Sequence, residues 1–321
     1  MRIVLDKPAE AAARALLRGR GLLRPGRGAL ELRLTRPAEA GDLAPLLENL
    51  PGVKEVRLSE EELCPLACAS GKKTFSKPLD LKAGPAIIAG PCAVESEERY
   101  LAAAAALKAA GAGALRAAIF KPRSSPYAFQ GLGWAGLRII EKAKKITGLP
   151  LVTEITDPRQ AARLAAVCDV LQLGARNMQN YELLKEAARS GRAVLLKRAA
   201  GASLREWLLS AEYLLKYGAR RLVLCERGDH PRLPGRPALD LGLLRAAKKL
   251  TGLPVIADPS HAARDRRLVP ALARRALAAG ADGLLVEASP DPLKARVDGR
   301  QTVTVETLRE IAGWPRCRKN R

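Results

Sequence analysis

The sequence predicts an α/β protein in which a (β/α)₈ TIM barrel follows a small α+β ferredoxin-like (ACT-like) domain. Two observations predict the barrel. From about residue 84 onward, eight short apolar runs alternate with helical patterns, and many of these helices are followed by a glycine. The order of elements in the first 75 residues predicts the small domain. We therefore expect two domains, residues 1–75 and 76–321.

The N-terminal region alternates between strand-like and helix-like segments. Strands are expected at Met1–Leu5, Ala29–Leu34 and Val53–Leu58, and helices at Ala9–Leu17 and Asp42–Asn49. This β-α-β-α-β order is typical of a ferredoxin-like module, joined to the rest by a linker at Gly71–Gly84. Such a module suits a regulatory role, and the alternative is a simple packing appendage.

Eight apolar runs form the predicted barrel: Ala86–Gly90, Ala114–Phe120, Pro150–Ile155, Val170–Gly174, Ala193–Lys197, Arg221–Cys225, Pro254–Ala257 and Gly283–Val286. The helical spacing of apolar residues predicts Glu97–Ala110, Trp134–Thr147, Pro158–Ala166, Asn180–Ser190, Ser203–Tyr217, Leu241–Thr251, Leu268–Ala279 and Val305–Ala312. C-cap glycines are expected at Gly111, Gly148, Gly191, Gly218, Gly252 and Gly280. A doubly wound sheet is the alternative, but the Gly90–Ser96 loop lacks the dinucleotide fingerprint expected there.

Composition and charge exclude several classes of function. The net charge is +22, but the basic residues are spread along the chain and aromatics make up only 3%, which argues against nucleic-acid binding. No apolar run reaches 18 residues, so no membrane span is expected. Six irregularly spaced cysteines and the lack of a signal peptide indicate reduced thiols in a cytoplasmic protein.

Groups that can bind a metal follow several predicted strands. In a barrel, active residues lie at the C-terminal ends of the strands, where Cys92, His261, Glu287 and Asp298 are expected to meet. A mixed sulfur, nitrogen and oxygen site suits a divalent metal ion, namely Mn²⁺, Fe²⁺, Co²⁺ or Zn²⁺. The other histidine, His230, lies in a Pro/Gly-rich loop and is expected to be non-catalytic.

A set of basic residues follows the strands at the same end of the barrel: Arg116, Lys121, Arg123, Arg176, Lys197 and Arg227. Six cations suit two phosphates and a carboxylate, because guanidinium groups pair with such oxygens through two hydrogen bonds. The hydroxyls of Ser124 and Ser125 could complete a phosphate cradle, and Glu154 ends the third strand.

Six segments carry a resemblance to a known family: Gly90–Ser96, Phe120–Gly133, Gln172–Asn177, Leu195–Arg198, Leu224–Gly228 and Asp258–His261. They resemble the 3-deoxy-D-arabino-heptulosonate 7-phosphate (DAHP) synthases, and more narrowly the subgroup related to 3-deoxy-octulosonate 8-phosphate synthase. The resemblance runs from about residue 84 to 312. The N-terminal module resembles the ferredoxin-like domain that some members carry for feedback control by aromatic amino acids.

The resemblance implies that phosphoenolpyruvate and erythrose 4-phosphate condense with water to give DAHP and phosphate, which opens the shikimate pathway. Matched by position, the metal ligands are Cys92, His261, Glu287 and Asp298. Residues around phosphoenolpyruvate are Arg116, Lys121, Glu154, Arg176, Lys197 and Arg227, and those at the aldose phosphate are Arg123 and Ser124. Pro122 and Ala175 are expected to bind substrate as well. Lys121 is the candidate proton donor and Glu154 the candidate for positioning water. The family also implies a homo-oligomer, a dimer or tetramer.

Two alternatives predict different observations. Octulosonate synthases use arabinose 5-phosphate and typically carry Lys-Ala-Asn-Arg-Ser-Ser after the second strand. The Lys121–Ser125 loop is one residue shorter and contains Pro122, which favours the heptulosonate reaction. A non-enzymatic phosphate sensor would lack a metal ligand or a phosphate-binding cation, and none is missing.

Overall fold

The computed structural model describes residues 1–26, 29–69, 77–81, 84–229 and 239–314. The chain divides into two compact units, Met1–Ser70 and Gly71–Arg321. The expected domain boundary between residues 75 and 76 lies outside the described residues, as does His230. Among the described residues, no helix is long and apolar enough to cross a membrane.

The N-terminal unit is a four-stranded antiparallel sheet packed against two helices. Its elements are β1 (Arg2–Leu5), α1 (Glu10–Leu16), β2 (Gly21–Gly26), β3 (Ala29–Leu34), α2 (Ala40–Glu48), β4 (Val53–Arg57) and α3 (Glu60–Leu63). The strand order is β2-β3-β1-β4, and Ile3, Leu30 and Leu47 are almost fully buried in its core. The ferredoxin-like prediction is therefore confirmed.

One strand of this sheet was not predicted from the sequence. β2 (Gly21–Gly26) pairs with β3 along its whole length, but it contains Pro25 and is bounded by glycines. A proline is tolerated there because β2 lies at the edge of the sheet, where one side of the strand needs no hydrogen-bond donor. Proline and glycine are typical of turns, so the composition of residues 21–26 did not predict a strand.

In the second unit, eight parallel strands of the described chain close into a barrel, which confirms the predicted fold class. The strands are β5 (Ala86–Gly90), β6 (Ala114–Arg116), β7 (Leu151–Ile155), β8 (Val170–Leu173), β9 (Ala193–Lys197), β10 (Leu222–Glu226), β11 (Val255–Ala257) and β12 (Gly283–Glu287). Their inward side chains, such as Ile88, Val152 and Leu195, form one buried core. Leu79 and Leu81, which precede β5, are buried in the same core.

Helices follow each barrel strand. They are α4 (Glu97–Ala109), α5 (Leu137–Thr147), α6 (Ala161–Val167), α7 (Tyr181–Arg189), α8 (Leu204–Lys216), α9 (Leu241–Thr251), α10 (Pro259–Ala263), α11 (Val269–Ala278) and α12 (Val305–Gly313). Two predicted C-cap glycines, Gly148 and Gly252, have φ values of 69° and 62°, the left-handed conformation that ends a helix. The short helix α10 was not predicted, and it carries a residue of the site described below.

The second barrel strand is shorter than expected. β6 ends at Arg116, whereas the apolar run predicted a strand to Phe120. Beyond Arg116, Ala117 N still donates to Val152 O of β7. Ala118 O then accepts from Val94 N, and Ile119 O accepts from Gly133 N, both outside the barrel strands. The side chains of Ala117, Ala118 and Ile119 are nonetheless buried.

Candidate active site

Four side chains that were predicted to bind a metal meet at the C-terminal end of the barrel. Cys92 follows β5, Glu287 ends β12, His261 lies in α10 after β11, and Asp298 lies in the loop after β12. One ligand atom from each lies within 4.8 Å of the others. Cys92 Sγ is 2.9 Å from Asp298 Oδ2 and donates a hydrogen bond to it. The tertiary structure thus brings together residues up to 206 positions apart.

The imidazole of His261 is directed into this cluster by α10. Asp258 caps the helix by accepting a hydrogen bond from the His261 backbone N–H. Its other carboxylate oxygen lies 2.7 Å from His261 Nδ1, although that buried nitrogen makes no well-aligned hydrogen bond among the described residues. Nε2 points to the other side, 3.5 Å from Glu287 Oε1 and 3.9 Å from Asp298 Oδ2. Nε2 is therefore the nitrogen available to a cation.

The electrostatics of the cluster fit a divalent cation. Burial, together with the charge of Glu287, raises the pKa of the Cys92 thiol well above its ordinary value. Burial alone would raise the pKa of Asp298, but the hydrogen bond from Cys92 and the nearby positive charges lower it. Two carboxylates, an imidazole nitrogen and a protonated thiol converge on one point. A divalent ion satisfies these groups if the thiol releases its proton.

Three predicted cations lie deep in the barrel, each paired with a buried carboxylate. Arg116 Nη1 is 2.8 Å from Glu287 Oε1, and Lys121 Nζ is 2.6 Å from Glu154 Oε2. Lys197 Nζ is 2.6 Å from Asp258 Oδ2. These pairings were not predicted, and Asp258 had not been identified as a site residue. Pairing is needed because an unpaired charge at this depth is costly.

The pairings shift the acidity of the groups. Burial by itself lowers the pKa of Lys121, but the charges of Cys92 and Glu154 raise it above its ordinary value. Burial would raise the pKa of Glu154, and the neighbouring ammonium of Lys121 lowers it instead. Lys121 is thus held protonated and Glu154 ionised, as donor and acceptor at the wall of one cavity.

Most of the predicted residues line a cavity of about 810 Å³ at this end of the barrel. The predicted members of the lining are Lys121, Pro122, Arg123, Ser124, Glu154, Ala175, Arg176, Lys197, Arg227, His261 and Asp298. Cys92, Glu287 and Arg116 lie behind this lining, and each is at most 2% exposed. The structure therefore places Arg116 against Glu287 and Cys92, and away from the open cavity.

The outer part of the cavity is basic. None of Arg123, Arg176 and Arg227 has a carboxylate partner within the described chain. Arg176 donates to the Pro122 carbonyl and to Ser124 Oγ, which ties two predicted loops together. Guanidinium groups without a carboxylate partner are suited to bind phosphate or carboxylate oxygens of a ligand.

A buried ion pair that the prediction missed supports one wall of the cavity. Arg198 contacts Glu226 through two hydrogen bonds of 2.5 and 2.9 Å, and both residues are at most 1% exposed. Glu226 also accepts hydrogen bonds from the backbone N–H groups of Gly228 and Asp240, both of which follow β10 in the chain. The adjacent Arg227 is thereby held at the cavity wall. The sequence contains one signal for this pair, because two charged residues stand at the end of β9 and two at the end of β10. It does not show which of these residues pair.

Gln301 is a further residue that the prediction missed. Its Nε2 donates to Glu287 Oε2 at 2.7 Å, while Ser260 Oγ accepts from the Glu287 backbone N–H. Together with Arg116, these contacts fix the orientation of the Glu287 carboxylate. Gln301 also lines the cavity, so a polar group outside the strand ends contributes to the site.

Comparison with known proteins gives consistent matches. Residues 80–317 match the DAHP synthetase I family. The chain is 41% identical over 226 residues to a phospho-2-dehydro-3-deoxyheptonate aldolase of Thermotoga maritima, covering 70% of this chain and 67% of that protein. It is 34% identical to a 2-dehydro-3-deoxyphosphooctonate aldolase of Syntrophotalea carbinolica, covering 70% and 87%.

Solved structures from Thermotoga maritima are also similar. A phospho-2-dehydro-3-deoxyheptonate aldolase (DAHP synthase) superimposes with a TM-score of 0.80 at 30% identity, over 97% of this chain and 93% of that one. A truncated 3-deoxy-D-arabino-heptulosonate 7-phosphate synthase gives a TM-score of 0.65 at 37% identity, over 71% and 84%. The likeness covers both the barrel and the N-terminal unit.

Proposed function

Because this chain belongs to the DAHP synthetase I family, we propose that it condenses phosphoenolpyruvate with erythrose 4-phosphate and water, giving DAHP and phosphate. This reaction is the first step of the shikimate pathway to aromatic amino acids. The observation that carries the proposal is the cavity of about 810 Å³. It joins a cluster of four side chains that could bind a metal to guanidinium groups that have no carboxylate partner among the described residues.

Metal dependence is part of the proposal. Cys92, His261, Glu287 and Asp298 would hold Mn²⁺, Fe²⁺, Co²⁺ or Zn²⁺, and their convergence within 4.8 Å supports this. When bound, such an ion supplies a Lewis acid for the aldehyde of the aldose phosphate. The protein itself keeps these ligands in place through the contacts of Asp258, Arg116 and Gln301.

We assign the remaining residues by their positions around the cavity. Arg123 and Ser124 at its rim would bind the phosphate of the aldose, beside Pro122. Around phosphoenolpyruvate we place the lining residues Lys121, Ala175, Arg176, Lys197 and Arg227. Arg116, which the resemblance matches to the same substrate, lies behind this lining against Glu287. These cations offset the repulsion between two phosphorylated substrates and orient them for carbon–carbon bond formation.

Lys121 and Glu154 are the candidates for proton transfer. Lys121 is protonated and lines the cavity beside Glu154, so it is placed to donate a proton to the oxygen of the reacting aldehyde. The ionised Glu154 carboxylate can accept a hydrogen bond from the water that adds to C2 of phosphoenolpyruvate. Lys121 Nζ donates a hydrogen bond of 2.6 Å to Glu154 Oε2, so a change in the protonation of one group affects the other.

The choice of aldose provides the test of this reaction. We expect the purified protein to consume phosphoenolpyruvate at least ten times faster with erythrose 4-phosphate than with arabinose 5-phosphate, because the Lys121–Ser125 loop resembles that of the heptulosonate synthases. The measurement follows loss of phosphoenolpyruvate absorbance with either sugar. A faster rate with arabinose 5-phosphate would assign the octulosonate reaction instead.

We further propose that the N-terminal unit is regulatory and binds an aromatic amino acid. The open face of its sheet borders a cavity of about 770 Å³ lined in part by Arg2, Arg24, Arg33 and Arg57. The guanidinium groups could bind a carboxylate, and the neighbouring Leu22 and Leu58 offer apolar surface.

Inhibition measurements test this regulatory proposal. L-Tyrosine or L-phenylalanine is expected to slow the reaction of the full chain. Replacing Arg24 or Arg33 by alanine should raise the concentration for half-inhibition by about tenfold, since one hydrogen bond to a charged group contributes about 1.5 kcal/mol. A rate that neither amino acid changes would leave the unit as a packing appendage.

Two further proposals concern the setting of the enzyme. The cysteines within the described chain are free thiols, which is in keeping with a cytoplasmic protein. By analogy with its family, we also propose that the chain forms a homo-dimer or homo-tetramer. Light scattering of the purified protein measures that state directly.

A further inference from the structure

The loop that carries Asp298 is anchored at both ends. We call residues 291–298 the Asp298 loop. On its C-terminal side, the Asp298 carbonyl accepts hydrogen bonds from Thr302 Oγ1 at 3.0 Å and from Gln301 N at 3.1 Å. Asp298 itself has a positive φ of 55°, a conformation that a non-glycine residue adopts only when its surroundings impose it. These contacts hold only the C-terminal side of the loop, and other residues hold its N-terminal side.

That anchor comes from the segment that follows Cys92. Glu95 accepts a hydrogen bond of 2.7 Å from the backbone N–H of Arg296 and one of 2.8 Å from Arg99 Nη1. Arg99 Nη2 in turn donates to the Lys294 carbonyl at 2.8 Å. We call this arrangement the Glu95–Arg99 clasp. It joins the start of α4 to a loop about 200 residues later in the chain.

The clasp differs from an ordinary surface ion pair. The side chain of Glu95 is only 7% exposed, and that of Arg99 is 41% exposed. Beside it, Val297 packs against Cys92 in a small buried cluster, and the Arg296 guanidinium lies 4.0 Å from the centre of the Phe129 ring. An exposed pair four residues apart on a helix would make no such contacts with a distant loop.

We propose that Glu95 and Arg99 are positioning residues that hold Cys92 and Asp298 at the separation a metal ion requires. The inference rests on the proposed metal dependence. Glu95 lies three residues after Cys92 and bonds two residues before Asp298, so the clasp ties together the two segments that supply these ligands. Without the clasp, part of the free energy of metal binding would be used to order the Asp298 loop. The affinity of the site for the ion would therefore fall.

The test measures Co²⁺ binding to the full chain. A thiolate-to-Co²⁺ absorbance band reports on Cys92, and competition with a chelator gives the dissociation constant. Replacing Glu95 by alanine is expected to weaken binding by about tenfold or more, the range seen when contacts behind metal ligands are lost. The band should still appear at saturation. Arg99→Ala should also weaken Co²⁺ binding. Because the Arg99 side chain is more exposed than that of Glu95, this variant is expected to fold normally.

The matched control is Glu97→Ala. Glu97 lies in the first turn of the same helix and pairs with Lys142, without contacting the Asp298 loop. The affinity of the Glu97→Ala variant for Co²⁺ should stay within twofold of that of the unchanged chain. If Glu95→Ala and Arg99→Ala, folded by circular dichroism, both bind as tightly as the control, the clasp has no positioning role. If the unchanged chain shows no stoichiometric Co²⁺ band, the metal proposal itself fails.

Discussion

Replacing Cys92 by alanine is expected to lower the rate of phosphoenolpyruvate consumption by about 10³-fold or more. The thiol is one of four proposed metal ligands whose atoms lie within 4.8 Å of one another, and the described part of that cluster holds no other thiol. Loss of metal-assisted charge stabilisation removes several kcal/mol, and about 1.4 kcal/mol corresponds to each factor of ten. The measurement is the steady-state rate with erythrose 4-phosphate at saturating substrate.

A matched control separates this effect from general damage. Cys168→Ala removes another fully buried thiol of the barrel unit, at the end of α6, and should leave the rate within about twofold. Treatment of the unchanged chain with EDTA should reproduce the loss, and added Mn²⁺ or Zn²⁺ should restore activity. Full activity of Cys92→Ala, or of the metal-free chain, would contradict the proposed metal dependence.

Removing one partner of the Arg198–Glu226 pair is expected to give the largest loss of stability. Arg198→Met leaves the Glu226 carboxylate, which is 0% exposed, buried without its positively charged partner. The backbone N–H groups of Gly228 and Asp240 still donate to it, but they carry no net charge. Breaking a buried pair in this way costs about 3–5 kcal/mol. That is a large fraction of the roughly 5–15 kcal/mol by which a domain is stable. For a unit of this size the melting temperature should fall by roughly 6–20 °C.

Calorimetry of the full chain measures this shift. The control is Arg159→Met, which breaks an ion pair with Asp157 in which the arginine side chain is 90% exposed. Such a pair contributes about 0–1 kcal/mol, so its loss should hardly move the melting temperature. Equal melting temperatures for Arg198→Met and the control would show that Arg198 does not stabilise the barrel.

Local periodicity was enough to predict the order of elements in the barrel. The apolar run Ala86–Gly90 and the helical pattern that becomes α4 appear at the predicted places. The strand is a continuous apolar run because both of its faces are buried, and the helix shows a periodic pattern because it buries one side. The structure differs from the predicted elements where backbone hydrogen bonds, rather than residue composition, decide the extent of a strand. β2 forms despite Pro25 because it pairs with β3. β6 ends early because the carbonyls of Ala118 and Ile119 bond to Val94 and Gly133, outside the barrel strands.

The sequence by itself also determined which groups gather at the site. In a barrel all strands end on the same side, so Cys92, His261 and Glu287 could be expected to meet once their strands were recognised. This inference needed no knowledge of distances. It depends only on the parallel direction of the strands.

Only the tertiary structure decided which of these groups pair. Arg116 binds Glu287, 171 residues away, rather than facing the open cavity, and Lys197 binds Asp258, 61 residues away. The Glu95–Arg99 clasp likewise depends on a loop some 200 residues later. The physical reason is that ion pairs and hydrogen bonds act over about 3 Å. Which partners come that close is set by strand register and barrel closure, and neither is encoded in any local pattern of residues.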